Sequence, residues 1–254
     1  MSQKASRDRR LACFIFFEFY TVRKIQAIES NEIFSLLNWF SLPTYKELSN
    51  YLKVSISITS AIFLASVNTS LPRIVSLIIF DPLSVGLLAG FVQIGNVFVP
   101  LLNGITQAAM PRLGRCFQFG KIDEFKKSAI LLVIVSFTSA CIVLLVSQSS
   151  LSDDFVKLIL NETFASYNQY FTLVAASSFF AYFNAVMGPV KIAQLQYTSE
   201  LIQNLVVFIL LIICCFGLGN IFGLEGIFYS IIIAQAFRTF WLGFTILSGI
   251  KNNS

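Results

Sequence analysis

Two arginines and a set of side-chain amides are the residues whose type and placement could do chemistry. Arg73 and Arg238 fall in strongly apolar stretches, and Gln93, Asn96, Asn103 and Gln107 recur along another. At 100° per residue, Gly86, Gly90, Gln93, Asn96, Pro100, Asn103, Gly104 and Gln107 share an arc of about 140°, opposite Leu88, Phe91, Phe98 and Leu102. A guanidinium stays charged and presents a fork of donors that matches oxyanions. No acidic residue is expected at comparable depth, since Glu225 sits near one end of its segment and Asp81 in a turn. Buried cations without buried anions favour an anionic ligand such as a phosphate or diphosphate. Two blander readings stand beside this one. Arg73 is close enough to the end of its segment to snorkel, and ordinary helix packing through small residues and amides accounts for the polar face. Arg238 lies ~15 Å from the end of its segment. An arginine there costs roughly 2.5–3.5 kcal/mol on insertion scales, so it should pair or face a cavity. Pro100 predicts a kink that frees the carbonyl of Asn96.

Other chemistries find little support. The chain has no histidine, the residue most used for proton relay near neutral pH and for zinc. Its cysteines, at 13, 116, 141, 214 and 215, form no C-x-x-C pair and mostly lie in apolar runs. No catalytic residue, metal-ligand set or cofactor site is assigned, and the expectation is a protein that is not an enzyme. The net charge of +5 does not indicate nucleic acid, because the basic residues gather in short loops and flanks. Asn68-Thr69-Ser70 and Asn161-Glu162-Thr163 are glycosylation-type triplets, of a kind that arises often by chance.

The elements that must position Arg73 and Arg238 are membrane crossings. Of 254 residues 56% are apolar and only 12% charged, with a mean hydropathy of +0.76, more apolar and about half as charged as an ordinary soluble domain. Apolar runs of about 20 residues suit a hydrocarbon layer of ~30 Å. The expected fold class is all-α, a multi-pass transmembrane helical bundle. Residues 1–53 form an N-terminal cytoplasmic or interfacial segment, with an interfacial helix over 33–40 ended by Pro43. Residues 54–250 form a six-helix lobe with spans at about 55–80, 83–106, 128–148, 167–188, 201–218 and 221–248. Between the spans stand the turn Asp81-Pro82, a basic loop over 107–127, an acidic loop with Asp153, Asp154, Lys157 and Glu162, the stop Gly188-Pro189 and the glycine-rich turn 217–220. A seventh crossing results if 11–28 also spans. With six, fifteen of the eighteen Lys and Arg fall on the side that carries both termini, Arg73 and Lys157 on the other, and Arg238 within a span. The positive-inside rule makes the first side cytoplasmic.

Several segments in order resemble a known family. These are Asn68-Thr69-Ser70-Leu71-Pro72-Arg73, then Leu83-Ser84-Val85-Gly86, then Gln107-Ala108-Ala109-Met110-Pro111-Arg112-Leu113 with Gly120-Lys121 and Phe125-Lys126-Lys127, and Gly223-Leu224-Glu225-Gly226 before the last span. Their order over residues 45–250 is similar to the bacterial polysaccharide biosynthesis, or oligosaccharide flippase, family of the multidrug, lipid-linked oligosaccharide and polysaccharide exporter superfamily. The resemblance implies a protein of the bacterial cytoplasmic membrane that moves undecaprenyl-diphosphate-linked oligosaccharide between leaflets. Such proteins consist of two six-helix lobes around a central cavity. Arg73 falls where the family has the arginine of its Pro-Arg motif; Arg238 has no counterpart.

The match covers the C-terminal lobe alone, and residues 1–28 resemble the remnant of the last helix of an N-terminal lobe. The expected partners are therefore the lipid bilayer, the lipid-linked oligosaccharide, and a separate N-terminal lobe or polysaccharide assembly proteins. The sugars would lie along Gln93, Asn96, Asn103 and Gln107, with Arg73 and Arg238 on the diphosphate. Two rival expectations are a cation-coupled drug exporter of the same superfamily, which wants a buried carboxylate, and a truncated, non-transporting membrane protein or scaffold.

Overall fold

The computed structural model describes residues 45–194 and 197–251, and every secondary-structure element among them is helical. The expected interfacial helix over 33–40 and the optional crossing 11–28 lie outside the described residues. The chain divides into two compact units, 1–50 and 51–254, and the second holds the features below. In chain order the helices are α1 (Tyr45–Ile79), α2 (Pro82–Gly95), α3 (Val99–Gln118), α4 (Ile122–Gln148), α5 (Ser152–Ile159), α6 (Glu162–Ala165), α7 (Gln169–Ala193), α8 (Tyr197–Phe222) and α9 (Leu224–Lys251). Five segments are long and apolar enough to cross a membrane: Ser55–Ile79, Ile122–Gln148, Gln169–Ala193, Ser199–Phe222 and Leu224–Gly249. Counting α2 and α3, bent by 43°, as one broken span makes six.

The bounds differ from the sequence expectation in four places, each with a local cause. Most of the expected basic loop 107–127 is helical, because α3 continues through Pro111 to Gln118 and α4 starts at Ile122, with Gly120 at φ +70° as the reversal between them. Gly188-Pro189 does not end α7, which runs on to Ala193; proline lacks one donor but tolerates a helix whose other bonds close around it. The acidic loop contains the short helices α5 and α6. Residues 217–220 are helical, and the α8–α9 turn falls at Gly223, whose φ of +65° is open to glycine at little steric cost. At the α1–α2 turn, Asp81 accepts a 2.6 Å hydrogen bond from the Ser84 hydroxyl, which holds its carboxyl below the ordinary aspartate value.

Side chains are distributed inside out relative to a soluble protein. Phe63, Ile78, Leu145, Phe240 and Phe244 are exposed, whereas Thr106, Ser136, Ser178, Asn184 and Ser230 are buried. In an apolar surrounding, burying leucine brings little, and close packing and hydrogen bonds select what faces inward. The hydroxyls are satisfied within their own helices: Thr106 donates to the Leu102 carbonyl at 2.6 Å, Ser178 to Val174 at 2.8 Å and Ser230 to Gly226 at 2.7 Å. They therefore add no unpaired donor to the interior.

α7 is the central helix, packed against α2, α3, α4, α8 and α9. Of its apolar window 44% is buried, against 28% or less for the other four segments. Its contacts are specific. Asn184 donates Nδ2 to Gln235 Oε1 at 2.6 Å and accepts from Thr239 at 3.0 Å, tying α7 to α9. Tyr182 packs edge-on against Phe98 and donates its hydroxyl to the Gly95 carbonyl at 2.7 Å.

That bond explains the break between α2 and α3. The kink was expected at Pro100 with a free carbonyl at Asn96; instead Pro100 lies in the first turn of α3, and the chain departs from α-helix at Asn96–Phe98. Val99 N–H donates to the Asn96 carbonyl at 3.0 Å, so the orphaned acceptor moves back to Gly95, where Tyr182 meets it. Gly95 presses so closely on α7 that a Cβ there would overlap Val174 and Ser178. Tyr182→Phe should lower stability by about 1–3 kcal/mol, the cost of one buried unpaired acceptor. Gly95→Ala should also destabilise, while Gly104→Ala, where a Cβ meets open space, should not. Unfolding of the three variants in detergent, followed by circular dichroism, checks the ranking.

Candidate functional site

The polar residues of four elements converge on a cavity of about 120 Å³ in the second unit. α1 contributes Asn68 and Arg73, the α2–α3 break Asn96, α7 Ser177 and Ser178, and α9 Gln235 and Arg238. Apolar residues of α2 and α8, among them Leu88 and Val207, complete the wall. Arg73 lies six residues before Ile79, ~9 Å along α1, and Arg238 fourteen residues after Leu224, ~21 Å along α9. Because the α1 and α9 ends meet where Ile79 and Ile227 both flank Gly219, their side chains reach the cavity from different depths.

The donors facing this space are incompletely used. The Arg73 side chain makes no ion pair or hydrogen bond with another described residue, and its Nε is buried without a partner. Arg238 Nε is also buried and unpartnered. Asn68 is 7% exposed; its Nδ2 donates to the Asn204 carbonyl at 3.0 Å, and its Oδ1 is left unpaired. Asn204 returns the bond, donating to the Ala61 carbonyl at 3.0 Å, so the two amides clasp α1 to α8. The wall thus offers guanidinium donors and one amide acceptor, a set suited to an oxyanion that carries or adjoins a hydroxyl.

Behind Arg238 lies an ion cluster. Its Nη2 donates to Glu200 Oε1 at 3.0 Å, and Glu200 Oε2 lies 3.3 Å from Lys191 Nζ. Gln203 accepts from Lys191 Nζ at 2.8 Å and donates to the Arg238 backbone carbonyl at 2.9 Å. Glu200 and Lys191 are buried, Lys191 completely. The cluster joins α7, α8 and α9 and holds two cations against one carboxylate, which leaves a surplus of positive charge beside the cavity.

Of the six residues singled out in the sequence, the fold brings Arg73, Asn96 and Arg238 to one cavity. Gln93, Asn103 and Gln107 are exposed and do not line it. The shared arc assumed one straight helix, and the break at Asn96–Phe98 divides it. Glu200, expected in the loop between two spans, is instead helical and buried, because α8 begins at Tyr197 rather than at Leu201; it stands in the first turn of α8, at the end of its span. Lys191, read as a loop cation, belongs to the last turn of α7. A helical signal was present: Glu200, Gln203 and Asn204 lie at i, i+3 and i+4, one polar face at the start of an apolar run. Asn68, which the sequence marks only as part of a glycosylation-type triplet and of the segment ending at Arg73, has a buried amide that is bonded through Nδ2.

Comparisons with protein-family models, with curated proteins and with solved structures find no match. Removing a single member of a buried ion cluster leaves uncompensated charge. Glu200→Ala should therefore cost about 3–5 kcal/mol of stability, and further changing Lys191 and Arg238 to Met should recover most of that loss. Chemical unfolding in detergent measures both.

Proposed function

We propose that this chain is one lobe of a membrane transporter that carries a lipid-linked oligosaccharide for cell-surface polysaccharide synthesis, holding the lipid diphosphate in the cavity between Arg73 and Arg238. The observation that carries the reading is the presence of two arginines with unpartnered buried Nε atoms on one cavity enclosed by apolar helices. In a low-dielectric surrounding an unpaired guanidinium is costly, and an oxyanion is the ligand that relieves it. At about 120 Å³ the cavity is somewhat smaller than one that admits benzene, about 150 Å³. It suits a phosphate and excludes a sugar repeat.

The sugars would accordingly lie outside, along the exposed amides Gln93, Asn103 and Gln107. These face away from the cavity and in a membrane require hydrogen-bonding partners. A second lobe would provide the opposing wall. The location consistent with this reading is the bacterial cytoplasmic membrane, with both termini on the cytoplasmic side by the charge distribution.

One observation favours a second reading, a cation-coupled drug exporter: the described residues include a buried carboxylate, Glu200. Both its oxygens already face cations, at 3.0 and 3.3 Å. That leaves it less open to a coupling ion than the arginines are to an anion, and the lipid diphosphate reading stands first.

In cells whose export of a lipid-linked repeat depends on this chain, Arg73→Ala should reduce export by on the order of tenfold or more, the worth of a charge-assisted hydrogen bond. Unchanged export would remove Arg73 from the site. Orientation has its own check, since cysteine introduced at Lys121 should be labelled only from the cytoplasm and cysteine at Lys157 only from outside. The reverse pattern would invert the topology.

A further inference from the structure

We infer that Glu200 and Lys191 are positioning residues that regulate how far Arg238 is available to an anion in the cavity, with Arg73 as the fixed half of the site and Arg238 as the exchangeable half. This rests on the reading of the cavity as an oxyanion site.

Arg238 belongs to both the cavity wall and the ion cluster. Its backbone carbonyl is tied to α8 by Gln203 at 2.9 Å, so the helix is anchored at this point and the side chain is the part free to turn. One end of the guanidinium, Nη2, is held by Glu200 at 3.0 Å, while Nε is buried and unpartnered. Glu200 thus holds the guanidinium by one end while the other end, Nε, is the one an anion in the cavity can draw, so the pull of each limits how far the side chain turns toward the other.

Lys191 makes that competition reversible. A carboxylate deserted by its only counterion in a buried site is strongly disfavoured. Glu200 is not in that position, because Lys191, fully buried and steadied by Gln203 Oε1 at 2.8 Å, stays 3.3 Å from its other oxygen. When Arg238 turns to the anion, the Lys191–Glu200 pair remains neutral. Two cations on one carboxylate tie three helices together and also supply what an exchange of partners requires.

The test uses the full chain in detergent and measures inorganic pyrophosphate affinity by titration calorimetry. Lys191→Gln should weaken binding by about tenfold, since Glu200 then depends on Arg238 alone. Combining Lys191→Gln with Glu200→Gln removes one charge of each sign. A mere effect of the local field then predicts wild-type affinity; release of Arg238 predicts binding about tenfold tighter than wild type. Glu200→Asp keeps both charges and the fold, shortens the reach to Arg238 by one methylene, and should also tighten binding.

Wild-type affinity in both the double variant and Glu200→Asp would overturn the exchange, as would an unchanged Lys191→Gln. The absence of pyrophosphate binding to the wild-type chain, or binding undiminished by Arg73→Ala, would instead reject the oxyanion site itself and this inference with it.

Discussion

The buried carboxylate of Glu200 is the interaction on which the arrangement of the last three helices depends. It draws Lys191 from the end of α7 and Arg238 from the middle of α9 to the first turns of α8. Each of these cations would otherwise be an expensive group in an apolar interior. Gln203, one turn further along α8, uses both ends of its amide to fix the same neighbours. The cost of burial thus becomes a constraint on geometry: α7, α8 and α9 cannot slide relative to one another without uncovering charge. Because α7 also carries Tyr182 and Asn184, that constraint is transmitted to the broken helix and to the rest of α9.

The interior otherwise follows one rule, that polar groups are met locally or by a partner across a helix interface. Serine and threonine hydroxyls bond back to their own helices, Asn68 and Asn204 exchange bonds with opposing backbones, and the carbonyl orphaned by the Asn96–Phe98 break is met by Tyr182. Against that background the exceptions are informative. Asn68 Oδ1, Arg73 Nε and Arg238 Nε are buried without hydrogen-bond partners and all three residues line the same cavity, while Ser76 Oγ, Asn168 Oδ1, Asn204 Oδ1 and Trp241 Nε1 are unpartnered away from it. The three that share one void are two guanidinium donors and an amide acceptor, a set that a ligand there would satisfy.

How much of this could be read from the sequence depends on the range of the interaction involved. Hydropathy over about 20 residues is a local property, and it announced the all-helical class and the apolar segments. Arg73 and Arg238 were conspicuous because a charge in an apolar run has few explanations. Gln93, Asn103 and Gln107 were misplaced relative to Asn96 because a helical wheel assumes a continuous helix. The break depends on a contact from Tyr182, some 87 residues away in the chain. Glu200 was missed for a related reason. Hydropathy sets the start of a span at its first run of apolar residues, so a carboxylate one position earlier is assigned to the loop, although the helix and its burial both extend past it.

On the proposed reading, these two errors mark the two halves of the mechanism. The amides that leave the cavity are the ones that need a surface the described helices do not provide, so they belong to whatever faces this lobe. The carboxylate that enters the bundle removes Arg238 from the simple role of a waiting cation. A site with two free arginines would hold a diphosphate tightly and release it slowly, and tight binding to a resting state is of no use to a carrier that must let go. Dividing Arg238 between Glu200 and the ligand weakens capture by the strength of an internal competitor while leaving the charge of the site intact. The competitor in turn stays compensated because Lys191 is buried behind it. A carrier gains from such a site because the hold can change when the helices move, and the helix on which Glu200 and Gln203 sit is also the one that the Asn68–Asn204 clasp ties to α1 and therefore to Arg73.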